Sequence, residues 1–254
     1  MRSDFGKIEV NGQPADEAAV SLLEHEGWGH FTTMQVRDGR TRGIGLHLAR
    51  LVAAHRELYG RALDGEEVRA RIRHALAGQL DGSVRVYGYW AGLIVTVRDP
   101  GDMPSRPHSM MTMPFQRPLA RLKHVGSWAQ DWFLKAALAE GFDDGLLVDE
   151  TGRISEGSNT NVGFWRGETV IWPDAPKLPG LMMQLLRRGL AAAAAPQAEA
   201  TVRVRDLASY DGMILCNARG WAPVSRVDKL PLPQNETFTG VIADALSRCP
   251  WDEI

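Results

Sequence analysis

The sequence predicts an α+β fold built as two modules. Runs of alternating apolar residues and runs of helical apolar spacing occur in both halves of the chain, and a stretch dense in turn formers, Asp99-Pro-Gly-Asp-Met-Pro-Ser-Arg-Pro107, separates them. The 254 residues, 44% hydrophobic and 24% charged, suffice for one large core or two modest ones. The boundary is expected between residues 99 and 120, giving a small N-terminal α/β domain over 1–110 and a larger C-terminal domain over 111–254.

In the first module, residues 6 to 12 read as a short strand entering a turn. Phe31-Thr-Thr-Met-Gln-Val-Arg37 followed by Asp38-Gly39 reads as a strand and hairpin, with the return strand near Arg40 to Gly45. Leu46 to Leu58 spaces its apolar residues helically and stops before Gly60, and a second helix over 64 to 80 is opened by Asp64. Ser83 to Tyr89 alternates, and Gly92 to Arg98 follows as a further strand. In the second module Ser127 to Glu140 reads as a helix and Gly145 to Val148 as a buried strand. Thr160 to Trp165 and Thr169 to Trp172 are strands, Gly180 to Ala194 a long helix, Val202 to Asp206 and Gly212 to Cys216 strands, and Thr237 to Arg248 a closing helix.

Composition narrows the function classes. A formal net charge of −2, with arginines scattered among acids, gives no electrostatic footprint for nucleic acid. The two cysteines, Cys216 and Cys249, suit neither a metal knuckle nor a disulfide scaffold, so no metal is expected and a cytoplasmic location is. The N-terminus lacks a signal-like apolar core, and the alanine run from Ala191 to Ala195 is too short to span a bilayer.

Chemistry concentrates in two segments. Lysine occurs only at positions 7, 123, 135, 177 and 229, and Lys123 lies among Leu119, Leu122 and Val125, apolar neighbours able to desolvate its amine and make it nucleophilic. Glu156 follows the apolar run Gly145-Leu-Leu-Val-Asp149 and leads into Gly157, Ser158, Asn159 and Asn161, a polar, tightly turning segment suited to presenting one carboxylate. A lysine can form a Schiff base with an aldehyde, and a carboxylate can hold a pyridine nitrogen protonated; pyridoxal phosphate needs both. Taken singly, a solvated lysine and a surface glutamate would be the ordinary readings.

The ordered fragments Asn11-Gly12, Phe31-Thr-Thr33, Asp38-Gly39, His47-Leu-Ala-Arg-Leu51, Lys123, Asp149 to Asn161, Leu178-Pro-Gly180 and Ala222-Pro-Val224 resemble the fold type IV pyridoxal-phosphate enzymes, the class IV aminotransferase family. That family includes branched-chain aminotransferase, D-amino-acid aminotransferase and 4-amino-4-deoxychorismate lyase. The resemblance runs along nearly the whole chain and implies a C-terminal pseudo-barrel, a pyridoxal 5'-phosphate cofactor and a homodimer. By position it implies Lys123 as the lysine bearing the cofactor, Glu156 as partner of the ring nitrogen, and Arg50 on the phosphate, where a guanidinium forms charge-assisted, bidentate bonds.

The same resemblance puts the backbone N–H groups of Leu181 and Met182 at a helix N-terminus facing the phosphate, although many relatives carry threonine in place of Met182. Asn217 falls where several aminotransferases have a phosphate-binding threonine, and Trp128 where some have a tyrosine that bonds the cofactor. Phe31, Ala218 and Arg219 are implied at the substrate. Amino transfer between an amino acid and a 2-keto acid is the leading reading. Phe31-Thr-Thr33, Lys123-His124 and Cys216-Asn-Ala218 lean instead toward 4-amino-4-deoxychorismate lyase, which releases pyruvate and 4-aminobenzoate. A binding protein that kept the fold without turnover is a third alternative.

Overall fold

The computed structural model describes residues 7–17 and 27–254. It divides into two compact units: the described residues up to Asp102 with Leu122–Gly126 and Pro250–Ile254, and Met103–Arg121 with Ser127–Cys249. Among the described residues no helix is long and apolar enough to cross a membrane.

The first unit is built on a five-stranded antiparallel sheet ordered Gln13–Pro14, Lys7–Val10, Gly92–Arg98, Gly82–Tyr89, His30–Val36. Gly6, where the first strand was expected to begin, lies outside the described residues. Period-2 alternation sends Met34, Val36, Val84, Val86, Val95 and Val97 to one face. There they pack against Leu48 and Leu51 of helix Ile44–Tyr59 and Val68 and Ile72 of helix Gly65–Leu76. The opposite face receives Phe31 and Thr33, whose cross-strand neighbours are Tyr87 and Arg85.

Local signals mark the start of the second helix and the end of the first. Asp64 caps the second by accepting from the Glu66 N–H at 2.9 Å, and Gly60 closes the first in a left-handed conformation with φ of 64°. The second helix ends at Leu76, four residues before the expected limit, because Ala77 turns to φ of 49°. A short pair, Arg40–Arg42 with Trp251–Glu253, brings the C-terminal strand into this unit.

The second unit carries a nine-stranded mixed sheet that curls into a half-barrel. Its order is Gln197–Ala200, Thr169–Pro173, Asn161–Arg166, Gly212–Asn217, Gly220–Val227, His108–Pro114, Asp144–Val148, Ile154–Gly157, with Leu230–Pro231 paired to Gly220–Val227. Strands Asn161–Arg166 and Gly212–Asn217 are buried on both faces. Val162, Phe164, Met213 and Leu215 enter one cluster, while Trp165, Ile214 and Cys216 enter another beneath helices Leu181–Ala192 and Glu236–Ser247. Two-sided burial explains why these segments read as continuous apolar runs. The two helices cross so closely that a side chain at Gly189 would meet the Ala245 carbonyl oxygen.

One local expectation changes, and three further strands appear. Val202 to Asp206 is not a strand: the pairing segment is Gln197–Ala200, and Val204–Ser209 winds into a 3-10 helix. The paired strand is polar and half-exposed at the sheet edge, so it lacks the apolar alternation that marks a strand. His108–Pro114, inside the expected boundary region, is a strand with Met110 and Met113 buried. Gly220–Val227 and Ile154–Gly157, which the sequence reading left unassigned, are also strands, and Glu156 stands on the second, just before the turn.

Candidate active site

Strand His30–Val36 is the open edge of the first sheet, and the Lys123 segment covers that edge. The Phe31 N–H donates to the Lys123 carbonyl at 2.8 Å, the Val125 N–H donates to the Gly29 carbonyl at 2.9 Å, and His30 and His124 form an antiparallel bridge. Edge pairing fixes the backbone of Lys123 and sets its half-buried amine 4.7 Å from the centroid of the Phe31 ring, a cation–π distance. On helix Ile44–Tyr59, His47 and Arg50 are one turn apart. His47 Nδ1 and Thr32 Oγ1 share a hydrogen bond of 2.7 Å, and burial, reinforced by the positive charges of Arg50 and Lys123, pushes His47 down to about 3. Within this unit the charges of Arg50 and Lys123 act on the His47 imidazole, and the Lys123 amine lies against the Phe31 ring.

Glu156 stands in the second unit, buried on strand Ile154–Gly157. Its Oε2 accepts from the Leu178 N–H at 3.1 Å and from Asn161 Nδ2 at 3.5 Å, while Asn161 Nδ2 also donates to the Leu178 carbonyl at 2.9 Å. Oε1 is buried as well. The turn after Glu156 is locked by Gly157 N–H to Thr160 carbonyl, Ser158 N–H to Gly145 carbonyl and Thr160 Oγ1 to Asp144. Burial raises Asp144 to about 6 against the hydrogen bonds it accepts.

Through Asn161 and Leu178 the carboxylate is tied to the loop that starts helix Leu181–Ala192. Leu181 and Met182 open that helix with no side-chain cap, and the Met182 side chain is buried in the core. A Cβ at Gly180 would collide with Asn161 Oδ1. Gly180→Ala is therefore expected to lower stability by roughly 1–3 kcal/mol and to displace the Glu156–Asn161–Leu178 linkage. Thermal melting and cofactor titration of the variant check this, and an unchanged melting temperature would count against it.

The remaining expected residues fall as follows. Asn217 uses its amide on nearby backbone, with Oδ1 accepting from the Arg219 N–H of its own hairpin at 2.9 Å and Nδ2 donating to the Asn159 carbonyl at 3.4 Å. Ala218 and Arg219 form the two-residue turn between the strands, Ala218 half-buried and Arg219 exposed. Trp128 is the first residue of helix Trp128–Ala139 and is 76% exposed.

Two side chains near these groups escaped sequence reasoning. Arg117 is buried in the second unit; burial pulls its guanidinium below the usual range and the Glu156 charge pulls it back. With its amide oriented to suit its neighbours, Gln130 accepts from Arg117 Nε at 3.0 Å and donates to the Ser127 carbonyl. Arg85, directly across from Thr33, holds that residue's hydroxyl. Alternation in Ser83–Tyr89 put Arg85 on the face opposite the apolar core, which was the available signal.

The two sheets with their helices define an α+β fold of type IV. The chain belongs to the family described as amino-transferase class IV, whose profile matches residues 29–227. No curated protein matches the sequence. Among solved structures, a branched-chain aminotransferase from the thermophilic archaeon Thermoproteus uzoniensis, with norvaline, is 15% identical with a TM-score of 0.83, covering 94% of this chain and 93% of that one. A hypothetical aminotransferase from Mycobacterium tuberculosis, in its PLP-bound form, is 21% identical with a TM-score of 0.79 over 94% and 97%. A candidate 4-amino-4-deoxychorismate lyase from Legionella pneumophila is 18% identical with a TM-score of 0.78 over 87% and 91%.

Proposed function

We propose that this chain is a pyridoxal-phosphate-dependent class IV aminotransferase that exchanges an amino group between an amino acid and a 2-keto acid. The observation that carries the reading is the pair Lys123 and Glu156: an amine fixed by edge pairing and a buried carboxylate fixed through one oxygen, within a chain of this family. Each of these side chains, within its own unit, has the chemistry the cofactor needs. Lys123 would bind its aldehyde carbon, Glu156 its ring nitrogen, and Arg50 with the N–H groups of Leu181 and Met182 its phosphate. Bound there, the cofactor supplies an electron sink for the bond broken at the substrate carbon.

The chain's own contribution is positional and acid–base. Phe31 and the sheet edge orient the Lys123 amine, which is placed to take a proton from the substrate carbon and return it. The neutral His47 accepts or donates through Thr32 without adding a charge beside Arg50. A second reading, 4-amino-4-deoxychorismate lyase, is favoured by Thr32: its hydroxyl meets His47 where, by the sequence resemblance, many transaminases carry glutamate.

The test is a substrate screen on holoprotein. Incubation with L- and D-amino acids plus 2-oxoglutarate or pyruvate is expected to convert the cofactor to its amino form and release a keto acid. Release of 4-aminobenzoate from aminodeoxychorismate, without such conversion, decides for the lyase. Purified protein that cannot be reconstituted with pyridoxal phosphate defeats both readings and leaves the non-catalytic binding protein.

A further inference from the structure

Beside the Lys123 amine lies a second cation that neither the family match nor the sequence motifs assign. Arg85 stands on strand Gly82–Tyr89, directly across from Thr33, on the sheet face opposite the apolar core. Its Nε–H donates to Thr33 Oγ1 at 3.0 Å and its Nη1 donates to the Tyr87 hydroxyl at 3.2 Å. The guanidinium carbon lies 5.2 Å from the Phe31 ring centroid and 5.8 Å from that of Tyr87. The group is therefore held in one orientation by two neutral hydroxyls and two aromatic rings, and among the described residues no carboxylate pairs with it.

This arrangement leaves the cation chemically unfinished. A guanidinium carries five N–H donors, of which these bonds use one on Nε and one on Nη1; three remain, including both on Nη2. That is the edge a carboxylate binds in bidentate fashion. Phe31 is shared: Lys123 Nζ lies 4.7 Å from the ring that Arg85 approaches to 5.2 Å, so the two cationic groups are at most about 10 Å apart. Lys123 and Arg85 approach the same aromatic ring, and positive groups beside a low-dielectric wall attract anions.

We propose that Arg85 is a specificity-determining residue that anchors a carboxylate of the substrate, restricting the Lys123 site to amines that carry a carboxylate within reach of the Arg85 fork. The inference rests on the proposed function in that Lys123 is taken as the reacting amine. Thr33 and Tyr87 are positioning residues: their hydroxyls orient the fork, and the exposed Arg219 on its hairpin turn is not required for this contact.

The test uses holoenzyme reconstituted with pyridoxal phosphate, and titrates it with propionate and with propionamide, which differ in charge and barely in size. Binding is read from the visible absorbance of the cofactor, and cofactor attachment from the mass of the borohydride-reduced protein. Wild type is expected to prefer propionate, and Arg85→Gln to bind it roughly 10- to 100-fold more weakly with propionamide unchanged. Arg85→Lys restores part of the preference because it returns the charge without the fork, and Tyr87→Phe loses a smaller part.

Attachment equal to wild type in Arg85→Gln shows that the variant is folded and that the cofactor does not depend on it. Normal attachment with equal losses for propionate and propionamide, or with no loss, overturns the inference and leaves the proposed function standing. Loss of pyridoxal phosphate uptake in Arg85→Gln would place the residue at the cofactor and also overturn it. A wild-type protein that takes up no pyridoxal phosphate defeats the inference together with the reading beneath it.

Discussion

Lys123→Ala is expected to abolish covalent attachment of pyridoxal phosphate and to lower turnover by roughly 10²- to 10⁴-fold, the range for removing a positioned acid–base group. The competing candidate is Lys177: burial lowers its pKa, and its Nζ donates to the Pro173 carbonyl at 2.6 Å. Lys123 is distinguished by a backbone clamped on both sides to the edge strand and by an aromatic ring that aims its amine. Lys177 instead precedes the loop that bonds Glu156, with its ammonium engaged at a carbonyl. Borohydride reduction followed by peptide mapping is expected to find the adduct at Lys123, with Lys177→Ala retaining it. An adduct on Lys177, or turnover surviving in Lys123→Ala, would remove Lys123 from its role.

How much of this was legible in the sequence depended on how local each cause is. Helix Ile44–Tyr59 could be read because its apolar spacing and the glycine after it both lie within the segment, and Asp64 announced the next helix for the same reason. The order of Lys123, Glu156 and Leu178-Pro-Gly180 exposed a candidate cofactor site before any coordinates. For Arg85 alternation gave only the sheet face: its meaning depends on register with Thr33, 52 residues away, and on a shared contact with Phe31.

Gly180 likewise looked like an ordinary residue before a helix, and only the position of Asn161 shows why a side chain cannot stand there. Strand Gln197–Ala200 failed for another reason. An edge strand that pairs on one side and faces solvent needs no apolar alternation, so the buried Val202 just beyond it carried the stronger but misleading signal.

The largest stability effect is expected with acid, and its sign follows from two buried imidazoles. Burial and the Arg50 and Lys123 charges hold His47 down to about 3; burial and His55 hold His30 down to about 4. In the unfolded chain both bind a proton near pH 6.5, so below that pH the unfolded state holds more protons and stability falls with pH until the folded values are reached. Between pH 6.5 and 4 the two together remove on the order of 5 kcal/mol.

Asp144 acts in the opposite direction. Its folded value near 6 lies above the ordinary 3.8, so its contribution grows as pH falls through that interval and offsets roughly 2 kcal/mol of the loss. Urea unfolding at pH 7, 5 and 4 measures the balance. His47→Asn, which keeps a polar atom for the Thr32 hydroxyl but cannot titrate, is expected to flatten the acid loss by about half of the imidazole contribution. Asp144→Asn removes the offset and is expected to steepen it. If His47→Asn shows the wild-type slope between pH 6.5 and 4, the imidazole beside Lys123 is not held neutral by the fold, and the charge arrangement around the candidate site must be redrawn.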